Sequence, residues 1–159
     1  MAGGQLTWHV AADNGGTTVV FSGALDETCN IGGMPLLSGE VTFDLGGISR
    51  ITSGGVTQWL RFLAGLGAET KLIYINCSIT VVTQLNMVRG FRGGAEVRSF
   101  YAPYICAATD EEQELLLRPE DVPDPLHPPE FDSPAGKLSL NDLPTRYFAF
   151  LSRPSGSPR

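Results

Sequence analysis

Thr52, Ser53, Gly54, Gly55 and Thr57 are the residues whose types and spacing best suit chemistry. They stand in Ile51-Thr-Ser-Gly-Gly-Val-Thr57, directly ahead of apolar residues at helical spacing: Val56, Trp59, Leu60, Leu63 and Leu66. The pattern places Ser53 at a helix N-cap, with Gly54 and Gly55 leaving backbone amides unshielded. A hydroxyl and bare amides at a helix N-terminus form a small positive concavity, suited to an anion or to a regulated phosphate. The cap role alone explains Ser53 and is worth about 1 kcal/mol. A phosphoacceptor role is compatible with it, since the same amides would hold the phosphate. Thr52 and Thr57 are weaker candidates of the same kind. Ser78, after Lys71-Leu-Ile-Tyr-Ile-Asn-Cys77, caps a second helix and offers a second such N-terminus.

Other reactive groups are scattered. The three cysteines, Cys29, Cys77 and Cys106, are too widely spaced for a disulfide framework. Cys77 ends an apolar strand and reads as a small buried hydrophobe, and Cys106 reads as the more exposed of the two. His9 and His127 have no cysteine near them in sequence, so a Cys–His nucleophile needs distant parts of the chain to meet. The carboxylates of residues 110–121 read as a solvated acidic edge rather than an acid–base pair. Arg89, Arg92 and Arg98 read as the basic end of a helix. Gly46-Gly47 and Gly93-Gly94 match neither a P-loop nor a dinucleotide fingerprint. No catalytic constellation emerges, and a non-enzymatic protein is expected.

Charge limits the partners. Residues 1–100 carry seven acids and six bases, and residues 101–159 carry ten acids and five bases. A near-neutral front half and an acidic rear half argue against nucleic acid, which needs clustered Lys and Arg. No apolar run approaches the roughly 20 residues of a membrane span, and no charged n-region leads an apolar h-region. A soluble cytoplasmic protein is expected.

These residues must be held by elements that alternate. Strands are predicted over 5–13 and 17–21, joined by the turn Asn14-Gly15-Gly16, and over 41–45, 71–77 and 96–105. Helices are predicted over about 54–66, stopped by Gly67, and over 79–89; residues 26–38 read as irregular. The order implies a mixed, mostly parallel five-stranded sheet with helices packed on it. Glu114–Leu117 adds a possible strand, 118–136 is Pro-rich loop, and Leu143–Leu151 is an aromatic segment of helical turn or strand. Phe100, Tyr101, Tyr104, Tyr147, Phe148 and Phe150 read as core between this segment and the sheet.

The element order, Ile51-Thr-Ser-Gly-Gly-Val56, Val19-Val-Phe-Ser-Gly-Ala-Leu-Asp26 and Asn76-Cys-Ser78 together resemble the STAS domain over about residues 5–105. That family comprises anti-sigma-factor antagonists and cytoplasmic domains of sulfate transporters. Its usual motif here is an apolar residue, then Asp-Ser-Ser-Gly and another apolar residue. In its signalling members the second Ser is phosphorylated; Gly54 occupies that position here, and Thr52 replaces the acid. The resemblance implies a bacterial signalling module that docks on a protein partner through residues 51–66. The partner would be a kinase, an anti-sigma-like protein or a chemosensory component. It further implies that bulky or charged changes at Gly54 or Gly55 abolish docking and leave the fold intact. The alternative is a sensor of small anions or nucleotides at the helix N-termini near Ser53 and Ser78. Self-association through the edge of the first strand or the aromatic tail also stays open, so a homodimer is possible.

The tail is similar, more faintly, to a zinc ribbon. Tyr104-Ile-Cys-Ala-Ala-Thr109 and Asp132-Ser-Pro-Ala-Gly136 stand where two Cys-x-x-Cys knuckles would be. Cys106, Thr109, Asp132 and Ala135 take the ligand places, and that set cannot close a tetrahedral zinc site. The expected organisation is a STAS-like domain over 1–105, a degenerate ribbon-like β-hairpin extension over 106–151 that holds no metal, and a disordered tail over 152–159. No cofactor is expected.

Overall fold

The computed structural model describes residues 5–13, 15–35 and 37–152. Asn14 of the expected hairpin turn and residues 153–159 of the expected tail lie outside these. Ser152, by contrast, closes a final 3-10 turn, Ala149–Ser152.

The first sheet has the order β1-β2-β3-β4-β5. Strands β1 (Thr7–Asp13) and β2 (Gly16–Leu25) are antiparallel. Strands β3 (Glu40–Ile51), β4 (Lys71–Ile75) and β5 (Glu96–Val97) follow in parallel. Two helices make the parallel crossovers: α1 (Ser53–Ala64) joins β3 to β4, and α2 (Ile79–Met87) lies between β4 and β5. Among the described residues only a short 3-10 turn, Ile31–Gly33, appears between β2 and β3, as the glycines there suggested. Helix α1 ends earlier than Gly67 implied, with Gly65 as its C-cap.

The registers explain the burial. Trp8 pairs with Phe21, Val19 with Phe43, and Phe43 with Tyr74, so these side chains share one face. Helix α1 covers that face with Trp59 and Leu63, both buried. Trp59 stacks on Phe91 at 5.5 Å and meets Phe21 and Phe43 edge-on. Its Nε1 donates to Tyr74 Oη and to the Phe91 carbonyl, each at 3.2 Å, so the polar atoms in this core are satisfied.

Strand β3 is longer than the alternation of Val41–Leu45 predicted, because Gly46-Gly47 stays in the sheet instead of forming a loop. A Cβ on Gly47 would lie 2.5 Å from the Phe21 carbonyl, so only glycine lets β2 approach here. The pairing of β2 with β3 shifts register at two points nearby.

The strand expected over 96–105 divides at Arg98-Ser99. Its first part is β5, and its second, β6 (Phe100–Cys106), enters a second, antiparallel sheet of order β7-β6-β9-β8. Here β7 is Glu112–Leu117, β8 is Phe131–Ser133 and β9 is Gly136–Leu140. Backbone bonds to the β4 end continue across the division: Arg98 N to Tyr74 O, Cys77 N to Ser99 O and Tyr101 N to Cys77 O. One run of chain therefore serves both sheets, and the position between 105 and 106 falls inside β6. The aromatic segment becomes helical: α3 (Pro144–Tyr147) leads into the Ala149–Ser152 turn. Phe100 packs edge-on against Phe148 and Phe150, and all three are buried. Asn86 fixes the segment, donating to Tyr147 O at 2.9 Å and accepting from Phe150 N at 2.8 Å.

Candidate functional site

At the start of α1 the cap is Thr52, not Ser53. Thr52 is still extended (φ −102°, ψ 168°), because β3 runs to Ile51 before the chain turns. Its Oγ1 accepts from Gly55 N at 3.1 Å and donates to Glu27 Oε2 at 3.0 Å. Ser53 is already helical and exposed. Thr57, also exposed, turns its hydroxyl back onto the Ser53 carbonyl at 3.3 Å.

The two glycines are packed rather than open. A Cβ on Gly55 would stand 1.9 Å from the Leu25 carbonyl oxygen, and one on Gly54 would stand 2.7 Å from Glu27 Oε2 and 2.8 Å from Glu27 Cβ. Substitution at Gly55 must push two backbones apart, which corrects the expectation that such a change leaves the fold intact. Gly54 is closed by the Glu27 side chain and tolerates little more.

Glu27 is the residue that sequence reasoning missed. It brings a carboxylate to the N-terminus of α1, the place reserved above for an external anion. The turn carrying it is built locally. Asp26 Oδ1 accepts from the Thr28 hydroxyl at 2.6 Å and the Thr28 amide at 2.9 Å, and Arg50 reaches Oδ2 at 3.4 Å. The Thr28 hydroxyl bond, then its amide and Arg50, hold the Asp26 carboxyl below its ordinary value. Thr52 N donates to Leu25 O at 3.0 Å, so this turn and the β3–α1 junction are fastened together. Away from the sheet, Ser53, Thr57, Leu60, Arg61 and Ala64 are exposed. Their spacing puts them on one face of α1.

Ser78 caps α2 as expected, accepting from Val81 N at 3.3 Å and donating to Ile48 O at 2.8 Å. Asn76 precedes it with φ +54°, a left-handed conformation that Asn tolerates better than most residues. Asn76 Nδ2 donates to Asp44 Oδ2 at 3.1 Å, and its backbone N–H donates to Ser99 Oγ at 2.8 Å. A cleft of about 770 Å³ lies beyond the carboxyl ends of β4 and β5, with Asn76, Arg92, Arg98 and Arg118 in its lining. Two of these arginines are engaged: Arg92 donates to the carbonyls of Ala95 (2.7 Å) and Phe150 (3.1 Å), and Arg98 pairs with Glu96. Arg92 is thus a pin between the sheet and the aromatic segment, not part of a free basic helix end.

Cys77 is fully buried, and burial pushes its thiol up. Cys106, expected to be more exposed, is buried too. It lies where the β6–β7 turn meets the β8–β9 turn. The Thr109 hydroxyl leads the groups that hold its thiol below the ordinary value, joined by the Ala108 and Thr109 amides and the Ser133 side chain. A Cβ on Gly136 would lie 3.3 Å from Cys106 Sγ. The positions facing Cys106 and Thr109 are therefore Ser133 and Gly136, not Asp132 and Ala135. The hairpin pairs Ser133 with Gly136 and Asp132 with Lys137, which leaves Pro134-Ala135 as the turn. One thiol, two neutral hydroxyls and a glycine do not fit zinc. His127 Nδ1 meets Asp124 Oδ2 at 2.7 Å on the exposed loop, and His9 lies on the exposed face of β1.

The chain matches no family model, no curated protein and no solved structure.

Proposed function

We propose that this chain is a non-enzymatic, STAS-like regulatory module of bacterial cytoplasmic signalling, which acts by docking on a protein partner through residues 51–66. The observation that carries the reading is the outward stripe Ser53, Thr57, Leu60, Arg61 and Ala64. It lies on a helix whose start is rigidly fixed to the β2 exit. A face that mixes hydroxyls, one aliphatic side chain and one guanidinium suits a reversible protein contact better than it suits chemistry. Gly54 removes the hydroxyl at the family's phosphoacceptor position, and Glu27 already supplies a negative charge beside it. Docking on this reading is constitutive.

The test uses capture of the partner from the native host with tagged protein. Leu60→Glu, placed on the stripe, is expected to lose the partner while its circular dichroism and melting temperature stay at the wild-type values. Leu126→Glu, on the Pro-rich loop and 65% exposed, is expected to keep it. Equal capture by the Leu60 variant would overturn the reading. The alternative, a sensor of anions or nucleotides near Ser53 and Ser78, has to contend with Glu27 at the first N-terminus and Asp44 bound to Asn76 ahead of the second. A rise in melting temperature with phosphate or a nucleotide would favour it.

A further inference from the structure

Strand β7 is the outer strand of the second sheet and, among the described residues, pairs only with β6. Its sequence from 114 to 118 is Glu-Leu-Leu-Leu-Arg. Arg118 remains extended (φ −114°, ψ 156°), so it continues the strand line. Phe100 pairs with Leu117 and Ala102 with Leu115. Tyr101 N donates to Cys77 O, on the side of β6 away from β7. The even-numbered residues of β6 therefore face β7, and their partners Gln113, Leu115 and Leu117 turn their backbone groups inward. The amide and carbonyl of Glu114 and of Leu116 turn outward, and among the described residues nothing bonds them. Glu114, Leu116 and Arg118 share one side-chain face, all three are exposed, and Leu116 is 51% exposed.

Charges on an edge strand ordinarily guard it against pairing. Here the acid and the base stand symmetrically about Leu116, which gives the edge a complement in itself. We infer that two copies of this chain join through β7, antiparallel, with Leu116 opposite Leu116 of the second copy. In that register Glu114 faces Arg118 twice, Leu115 faces Leu117, and the outward groups of the two Leu116 residues exchange both hydrogen bonds. Shifting the centre to Leu115 would set Glu114 against Leu116 and would require Glu112 to meet Arg118, but Glu112 already accepts from Asn141 at 3.3 Å. Centring on Glu114 would oppose like charges. The outer edge of β1, Thr-Trp-His-Val-Ala-Ala-Asp, has no such symmetry. The two second sheets become one continuous sheet across a two-fold axis. Because the ladder is short, the dimer is weak and concentration-dependent.

Sedimentation equilibrium over a concentration series tests this. The wild type is expected to pass from monomer to dimer. Glu114→Arg and Arg118→Glu, each placing like charges opposite, should weaken the dimer about tenfold. The double variant Glu114→Arg/Arg118→Glu restores opposite charges and should return within about threefold of the wild type. Leu116→Lys should leave a monomer throughout. All three substituted positions are exposed, and unchanged circular dichroism confirms that the fold is kept. A wild type that stays monomeric up to about 1 mM overturns the inference. So does a dimer indifferent to the single changes, and so does a double variant no better than the singles.

Discussion

Helices α1 and α2 both follow a parallel strand and both start from a hydroxyl cap, yet their N-termini are closed in different ways. At α1 the closure is backbone against backbone: Gly55 sits where any Cβ would meet the Leu25 carbonyl, and Glu27 lies over Gly54 and Thr52. At α2 the closure is made by side chains, with Ser78 bound to Ile48 O and Asn76 bound to Asp44 and Ser99. The first arrangement tolerates no added atom, and the second tolerates no lost hydrogen bond. A turn that docks a partner gains from the first kind, because its shape then depends little on which side chains face solvent.

The largest expected effect follows from the steric side of this contrast. Gly55→Ala should cost about 4 kcal/mol in denaturant unfolding, although alanine is otherwise the better helix former. Near-wild-type stability would mean that the β2 exit yields freely, and the contrast would vanish. Next, Ser78→Ala should cost about 1.5 kcal/mol, since it removes both a cap and the bond to Ile48 O. Thr52→Ala should cost about 1 kcal/mol, because its second partner, Glu27, is exposed and can be replaced by water. A larger loss at Thr52 than at Ser78 would reverse the ranking of the two caps.

Acid titration probes the turn that carries Glu27. The Asp26 carboxyl is held below its ordinary value of 3.8 in the folded chain. Its contribution is therefore fully present above that value and is lost as pH falls through the lower, folded value. Asp26→Asn should flatten this acid limb of the stability curve by lowering stability at neutral pH, where the contribution is present, and leave the strongly acid end little changed. An unaltered acid limb would assign the acid sensitivity to other carboxylates. The smallest effect is expected for Glu27→Gln, within about 0.5 kcal/mol and shrinking as salt is added. A loss that salt leaves unchanged would point to packing of the side chain rather than its charge.

Much of this architecture was legible in the sequence. Alternation marked β1 and β3, β-branched residues marked β2, a nearly continuous apolar run marked β4, the 3.6-residue period marked both long helices, and Ser78 was read correctly as a cap. The mixed, mostly parallel sheet of five strands is present. The errors have physical causes. Thr52 and Ser53 are both competent caps, and the choice depends on where β3 stops, which the pairing with β2 decides. The run 96–105 has the pattern of a single strand, but its pairing changes partners at Arg98-Ser99. Ser133 and Gly136, not Asp132 and Ala135, approach Cys106 because turn geometry, not spacing, sets which residues of the β8–β9 turn face it. Glu27 left no local signal at all, since its contact with Thr52 spans 25 residues.

Trp59 gives the molecule an internal optical gauge. Its indole is fully buried, stacked on Phe91 and tied to Tyr74, on the inward side of the same helical turn that exposes Thr57, Leu60 and Arg61. Trp8, the other tryptophan, lies on the same face but on the outer strand β1 and is only half-buried. Iodide should reach Trp8 and spare Trp59, so the two emissions can be separated. Any event that loosens α1 then reads out as a red shift in the protected component, without a label.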